Sequence, residues 1–167
     1  EHPENVPPEM HHTEWCADKA IEFFSEEREG PWLFSVNQFD PHPPFNPPDE
    51  YLKRYDPNQL PGPLFQESDI AAQEKLMGVD GFNGPARSPE ELNGREIQAA
   101  YYAMIELVDH SVGRMLEALE QTGQRENTLV IFTSDHGELL GDHGFASTKG
   151  CRFYEGSVRV PLVISLP

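Results

Sequence analysis

Ser134-Asp135-His136-Gly137-Glu138 sets a carboxylate, an imidazole and a second carboxylate directly after the apolar run Thr128-Leu129-Val130-Ile131-Phe132-Thr133. Adjacent Asp and His side chains suit a divalent cation that accepts oxygen and imidazole ligands. Gly137, Gly141 and Gly144 would let the backbone turn tightly around such an ion. The same loop runs through Gly141-Asp142-His143-Gly144 to Lys149-Gly150, and Lys149 is the only lysine between Lys75 and the C-terminus. A cation there could hold an oxyanion. A second candidate is His42, set in Asp40-Pro41-His42-Pro43-Pro44-Phe45, where three prolines fix the backbone and remove competing donors. Taken one by one, these residues are equally compatible with ordinary loop hydrogen bonding, which polar side chains at strand ends commonly provide.

Other site patterns do not fit. His136-Gly137-Glu138 is not the H-E-x-x-H of zinc proteases, because the Glu is displaced and His143 does not fall one helical turn from His136. Gly156-Ser157 lacks the second glycine of a nucleophile elbow. Gly78 to Gly84, with Asp80 and Asn83, lacks the ligand spacing and terminal Glu of an EF-hand. Cys16 and Cys151 are far apart and without CxxC spacing, so neither a disulfide framework nor a zinc cluster is implied.

The elements that must position these residues follow from periodicity. Thr13 can cap a helix along which Ala17, Ala20, Ile21 and Phe24 recur until Gly30-Pro31. Trp32 to Phe39 reads as a strand leading into the His42 loop. Residues 46–89 are rich in Pro, Gly and acidic residues and read as an irregular excursion, with a docked helical turn near Tyr51, Leu52 and Tyr55. From Glu96 to Thr122 the residues Ile97, Tyr101, Met104, Val108, Val112, Met115 and Leu119 line one helical face, and Gly123 stops the helix. Asp109 and His110 lie within this helix and read as structural. Thr128 to Thr133 is a short β-branched run expected to be buried on both faces, and Pro161 to Leu166 is a second buried strand. Helix and strand alternating in this way predict an α/β fold with a mainly parallel sheet and helical crossovers. Ligand sites of such sheets lie beyond the carboxyl ends of the strands, where Asp135, His136 and His42 fall.

A length of 167 residues allows one domain with a real core. Lys and Arg number 12 against 29 Asp and Glu, a net charge of −17. Such a surface repels phosphate backbones and argues against nucleic acid as a partner. It does not exclude an anionic substrate, because a metal and a lysine invert the potential locally. No apolar run is long enough to span a membrane, and nothing in the sequence indicates a compartment.

Taken together, Ser134 to Glu138, Gly141 to Gly144, Lys149-Gly150, Phe153-Tyr154-Glu155 and Arg159 to Ile164 resemble, in order and spacing, the sulfatase family of the alkaline-phosphatase-like superfamily. The likeness extends upstream through Tyr101-Tyr102-Ala103 and Asp109 to the Asp40 to Phe45 segment, and is weakest between Tyr55 and Pro89. It implies that Asp135 and His136 ligate a divalent cation, calcium first, with manganese or zinc as alternatives. It implies that His42 and Lys149 hold the oxygens of a sulfated small molecule or glycan. The family's nucleophile is a formylglycine made within C/S-x-P-S-R, and neither Cys16 nor Cys151 matches that motif. The chain is therefore expected to be the central part of a larger catalytic domain, inactive by itself and weak in binding metal. Many sulfatases carry Asn in place of His136, whereas choline-sulfatase-like and phosphonate-monoester-hydrolase-like relatives carry His. Phosphonate monoesters or phosphodiesters thus stay open as substrates. A further reading is a non-catalytic assembly module that forms a homo-oligomer through exposed sheet edges. The enzyme reading carries one topological expectation, that His42 and Lys149 face one cavity with Asp135 and His136.

Overall fold

His11, and not Thr13, caps the first helix: its imidazole Nδ1 accepts from the Thr13 backbone N–H at 3.4 Å. The Thr13 hydroxyl is engaged elsewhere, donating to Asp40 Oδ2 at 2.5 Å. A threonine at a helix start is a good cap only when no stronger acceptor claims its hydroxyl, and a buried carboxylate does so here. These details come from a computed structural model that describes residues 6–75, 87–145 and 153–167.

In chain order the main elements are α1 (His12–Ser25), α2 (Asp49–Leu52), α3 (Glu67–Glu74), α4 (Gly94–Gln121), β1 (Val130–Thr133), α5 (Glu155–Val158) and β2 (Leu162–Ser165). They fall into two compact units. One comprises residues 6–55, 100–130 and 165–167, the other the described parts of 56–99 and 131–164.

In the first unit, Ala20 and Phe24 of α1 pack with Ala118 and Leu119 of α4. Trp32, Phe34 and Val36 close over them, with Phe24 and Trp32 stacked at 5.5 Å between ring centroids. Residues 32–39 alternate between half-buried and exposed, as a strand would. The expected strand is nevertheless not formed. A strand requires a hydrogen-bonded neighbour, and the sheet of the described residues contains only β1 and β2. A second cluster joins Tyr51 of α2 to Ala103 and Leu107 of α4, so the helical turn expected near Tyr51 exists. Burying a leucine as Leu107 is buried contributes about 2 kcal/mol.

The deeply buried side chains of α4 are Gln98, Ala99, Ala100, Ala103, Met104, Leu107, Ser111, Ala118 and Leu119. Of the large residues expected there, Ile97, Tyr101, Val108, Val112 and Met115 are only half-buried. Met104 and Leu119 are buried as expected, while alanines beside them admit the closest approach of neighbouring backbone and leave the other five residues at the margins of the buried face. Gly123 does stop the helix: at φ +69° it lets Gln124 N–H bond the Leu119 carbonyl at 2.9 Å.

β1 and β2 pair as a two-stranded sheet, an α/β arrangement. The expectation of burial on both faces fails: Ile131, Phe132, Leu162, Val163 and Ile164 are all exposed. Two strands flanked by no covering helix among the described residues cannot hide either face. The segment 56–75, expected to be irregular, contains α3, whose Gln66 and Asp69 form a reciprocal capping box. No described helix is long and apolar enough to cross a membrane.

Candidate functional site

Asp135 and His136 follow β1 immediately, at the point where Thr133 donates from its hydroxyl to the Pro161 carbonyl at 3.0 Å, just before β2. The Asp135 side chain is 87% exposed and its Oδ2 lies 3.7 Å from His136 Nε2. Its Oδ1 accepts from the His136 backbone N–H at 3.0 Å, which fixes the carboxylate toward the ring. His136 Nδ1 sits 2.9 Å from the Gly137 carbonyl. A carbonyl only accepts, so Nδ1 carries the proton and the lone pair of the neutral ring is on Nε2, facing Asp135. A backbone carbonyl behind an imidazole is the usual way to fix a metal-binding tautomer. One oxygen and one nitrogen donor thus stand together and fit a divalent cation. Among the described residues no third His, Cys, Asp or Glu joins them, so the pair offers two donor atoms.

The pair keeps its place because Gly137 presses against the backbone beside α5. Its N–H donates to Ser157 O at 2.8 Å, and a Cβ added to it would fall 2.0 Å from the Gly156 carbonyl oxygen. Beyond it the chain turns through Gly141 at φ +96° and His143 at φ +59°. This turn is held by the segment expected to be a loose excursion. Asp142 Oδ1 accepts from Leu64 N–H at 2.6 Å, and His143 N–H donates to Leu64 O at 2.7 Å. Gln73 of α3 donates to the His143 carbonyl, while the His143 ring lies 3.3 Å from Asp69 and stacks on Tyr154 at 4.1 Å.

Burial pushes the Asp142 carboxyl above its ordinary range, opposed by the Leu64 N–H bond and by His143. A carboxyl whose folded pKa is raised binds its proton more tightly folded than unfolded, so stability is fullest below the ordinary carboxyl range and falls as pH rises through the folded value. Asp142→Asn keeps an acceptor for Leu64 and removes that loss. Urea titrations at stepped acid pH should show the variant gaining on the parent as pH rises from the ordinary range, then levelling. A gap that narrows with rising pH would contradict the assignment.

His42 belongs to the first unit. Its Nδ1 is 2.7 Å from the Pro43 carbonyl and its ring 4.8 Å from that of Phe39. The peptides before Pro41 and Pro44 are cis. Asp135 and His136 belong to the second unit, and Lys149 lies outside the described residues, as does Cys151. His110 has a structural contact, 3.3 Å from Glu14, which also pairs with Arg114.

The sulfatase family model matches residues 1–167. The chain belongs to the sulfatase family. It is 35% identical over 159 residues to an arylsulfatase of Clostridium perfringens, covering 95% of this chain and 32% of that protein. It is 32% identical over 175 residues to a multifunctional alkaline phosphatase superfamily protein of Trinickia caryophylli, covering 97% of this chain and 34% of that one. The crystal structure of a phosphonate monoester hydrolase of Agrobacterium radiobacter matches with a TM-score of 0.82 at 32% identity, over 97% of this chain and 34% of that chain. The chain thus spans about a third of the length of the relatives it matches.

In this sulfatase-family chain, one group of potential ligands escaped the sequence reading. His11, His12 and Asp40 bring three ligand atoms within 4.8 Å of one another. The available signals were a His-His pair at a helix start and an acidic residue two positions before His42. Neither is informative until folding brings positions 28 or more residues apart in sequence into contact.

Proposed function

We propose that this chain is part of a sulfuric ester hydrolase in which Asp135 and His136 hold a divalent cation, calcium first, while His42 and Lys149 bind the oxygens of the ester's anionic group. The observation that carries the reading is the oriented pair beyond β1, with Asp135 Oδ2 and the lone pair of His136 Nε2 set 3.7 Å apart. A cation bound there would polarise an ester oxygen and offset its charge. Asp135 balances the charge at that point, and the Gly137 carbonyl keeps the His136 ring turned toward it. Lys149 would supply a positive charge for the anion. The Pro43 carbonyl accepts from the Nδ1–H of His42, so in the ring's acid form the transferable proton is on Nε2, the one that could pass to a departing oxygen. The nucleophile, a formylglycine, would come from a C/S-x-P-S-R segment outside these 167 residues.

A phosphonate monoester hydrolase is the second reading, favoured by the TM-score of 0.82 to such an enzyme and by a histidine at position 136. Both esters present a tetrahedral anion to the same side chains, and they differ in charge and in the central atom. The deciding experiment measures kcat/KM of an active form of the protein for an aryl sulfate and an aryl phosphonate monoester, with calcium and with manganese. A preference for the sulfate supports the first reading and a preference for the phosphonate the second. Turnover of neither, with metal bound, would remove both.

A further inference from the structure

Asp40 is a buried carboxylate, its side chain 1% exposed, held by one hydroxyl and facing two imidazoles. Its Oδ2 lies 3.3 Å from His11 Nδ1 and its Oδ1 lies 3.4 Å from His12 Nε2. Among the described residues no lysine or arginine pairs with it, and Asp40 Oδ1 and His12 Nε2, both buried atoms, have no hydrogen-bond partner. Burying an ionised carboxylate without compensation is costly. His11 does not relieve the contact as a donor: its Nδ1 is the acceptor of a long 3.4 Å bond from Thr13 N–H, one that a cation would replace, so the nitrogen nearest Asp40 carries its single lone pair and not a proton. The ring's hydrogen bond to the Asn46 backbone accounts for its proton. Two lone-pair acceptors facing each other at this distance repel unless a positive group, a proton or a metal cation, stands between them.

We propose that His11, His12 and Asp40 form a binding site for a zinc-class divalent cation. Two imidazoles and one carboxylate are the donors such ions select, in contrast to the all-oxygen sets of calcium and magnesium. Metal–ligand bonds of about 2.0–2.1 Å at a tetrahedral ion set neighbouring ligand atoms about 3.3 Å apart, close to the two nitrogen–oxygen separations seen here. The Asn46 backbone behind His11 and the Thr13 hydroxyl behind Asp40 supply the outer hydrogen bonds such sites use to hold ligands in place. Three protein ligands leave one coordination position for water. The ion would fasten the start of α1 to the residues leading into His42, within one unit. The site is separate in sequence from Asp135 and His136, and does not depend on the hydrolase reading.

The test is titration of the metal-free chain with zinc by calorimetry and with cobalt by visible absorption. One equivalent of zinc should bind, and cobalt should give the intense ligand-field bands of a four-coordinate ion. His12→Gln, which changes a partly exposed side chain, should weaken zinc binding by at least the roughly tenfold that losing an outer hydrogen bond costs, and Asp40→Asn should do likewise if the variant folds. The double variant Asp135→Asn with His136→Asn should leave the zinc affinity and the cobalt bands unchanged. Absence of a one-equivalent site, binding unaffected by His12→Gln, or binding lost in the Asp135 and His136 double variant would each overturn the proposal.

Discussion

In an active form of the protein, Asp135→Asn is expected to lower kcat/KM for ester hydrolysis by about a thousandfold while leaving the thermal midpoint unchanged. The two halves of this result come from the same geometry. The side chain is 87% exposed and buries nothing, so its loss costs the fold little beyond a bond to the adjacent N–H. In the proposed role, as one of two donors to a cation, it would govern how firmly that ion is held, and an ion stabilising charge in a transition state is worth several kcal/mol. Each 1.36 kcal/mol is tenfold in rate, so about 4 kcal/mol gives the thousandfold. Adding excess metal should recover part of the rate if affinity is the main loss. An unchanged kcat/KM would remove Asp135 from the machinery, and a collapse in thermal stability would assign it a structural part.

Gly137→Ala is expected to act in the opposite way, destabilising the chain by about 3 kcal/mol, at the upper end of ordinary overpacking, and disturbing the Asp135–His136 pair as a consequence. The added methyl would lie 2.0 Å from a carbonyl oxygen, that of Gly156. A backbone atom cannot rotate away as a side chain can, so the loop after β1 must separate from α5 and lose the Gly137 to Ser157 hydrogen bond. Gly156→Ala is the internal comparison: its Cβ would meet Glu138 O at 3.2 Å and Leu139 Cδ2 at 3.4 Å, which small shifts absorb. Urea denaturation should therefore show a large loss for the first variant and a small one for the second. Equal stabilities would mean that the close approach at Gly137 is not enforced.

How far the sequence could be read depended on whether the information was local. The span of α4 was legible from its apolar period and Gly123, because helix hydrogen bonds close within the segment. β1 and β2 were legible as short apolar runs. Their exposure was not, since burial belongs to whatever covers a face and not to the strand. Trp32 to Phe39 shows the same limit: alternation foretold its side-chain pattern and could not foretell a hydrogen-bonding partner. At the candidate site, Asp135 and His136 stood out by type and position, and their mutual geometry agrees with a shared ion. The capping of α1 by His11 and the capture of Thr13 by Asp40 were hidden because each depends on a contact between distant positions. The support that residues 62–73 give to the Gly141 to Gly144 turn was hidden in the same way, beneath a composition that suggested a loose loop.

The segment 32–39 separates two properties that a sheet normally supplies together. Its inward side chains are anchored by Phe23 and Phe24, with Phe23 and Phe34 stacked at 4.4 Å, while its peptide groups have no ladder partner among the described residues. Rings and not backbone bonds therefore determine which residues point inward. A strand arriving alongside would meet a template whose phase is already set. Slipping by one residue would turn Trp32, Phe34 and Val36 away from the helices, so an error in pairing would be rejected by the aromatic cluster and not by the hydrogen bonds themselves.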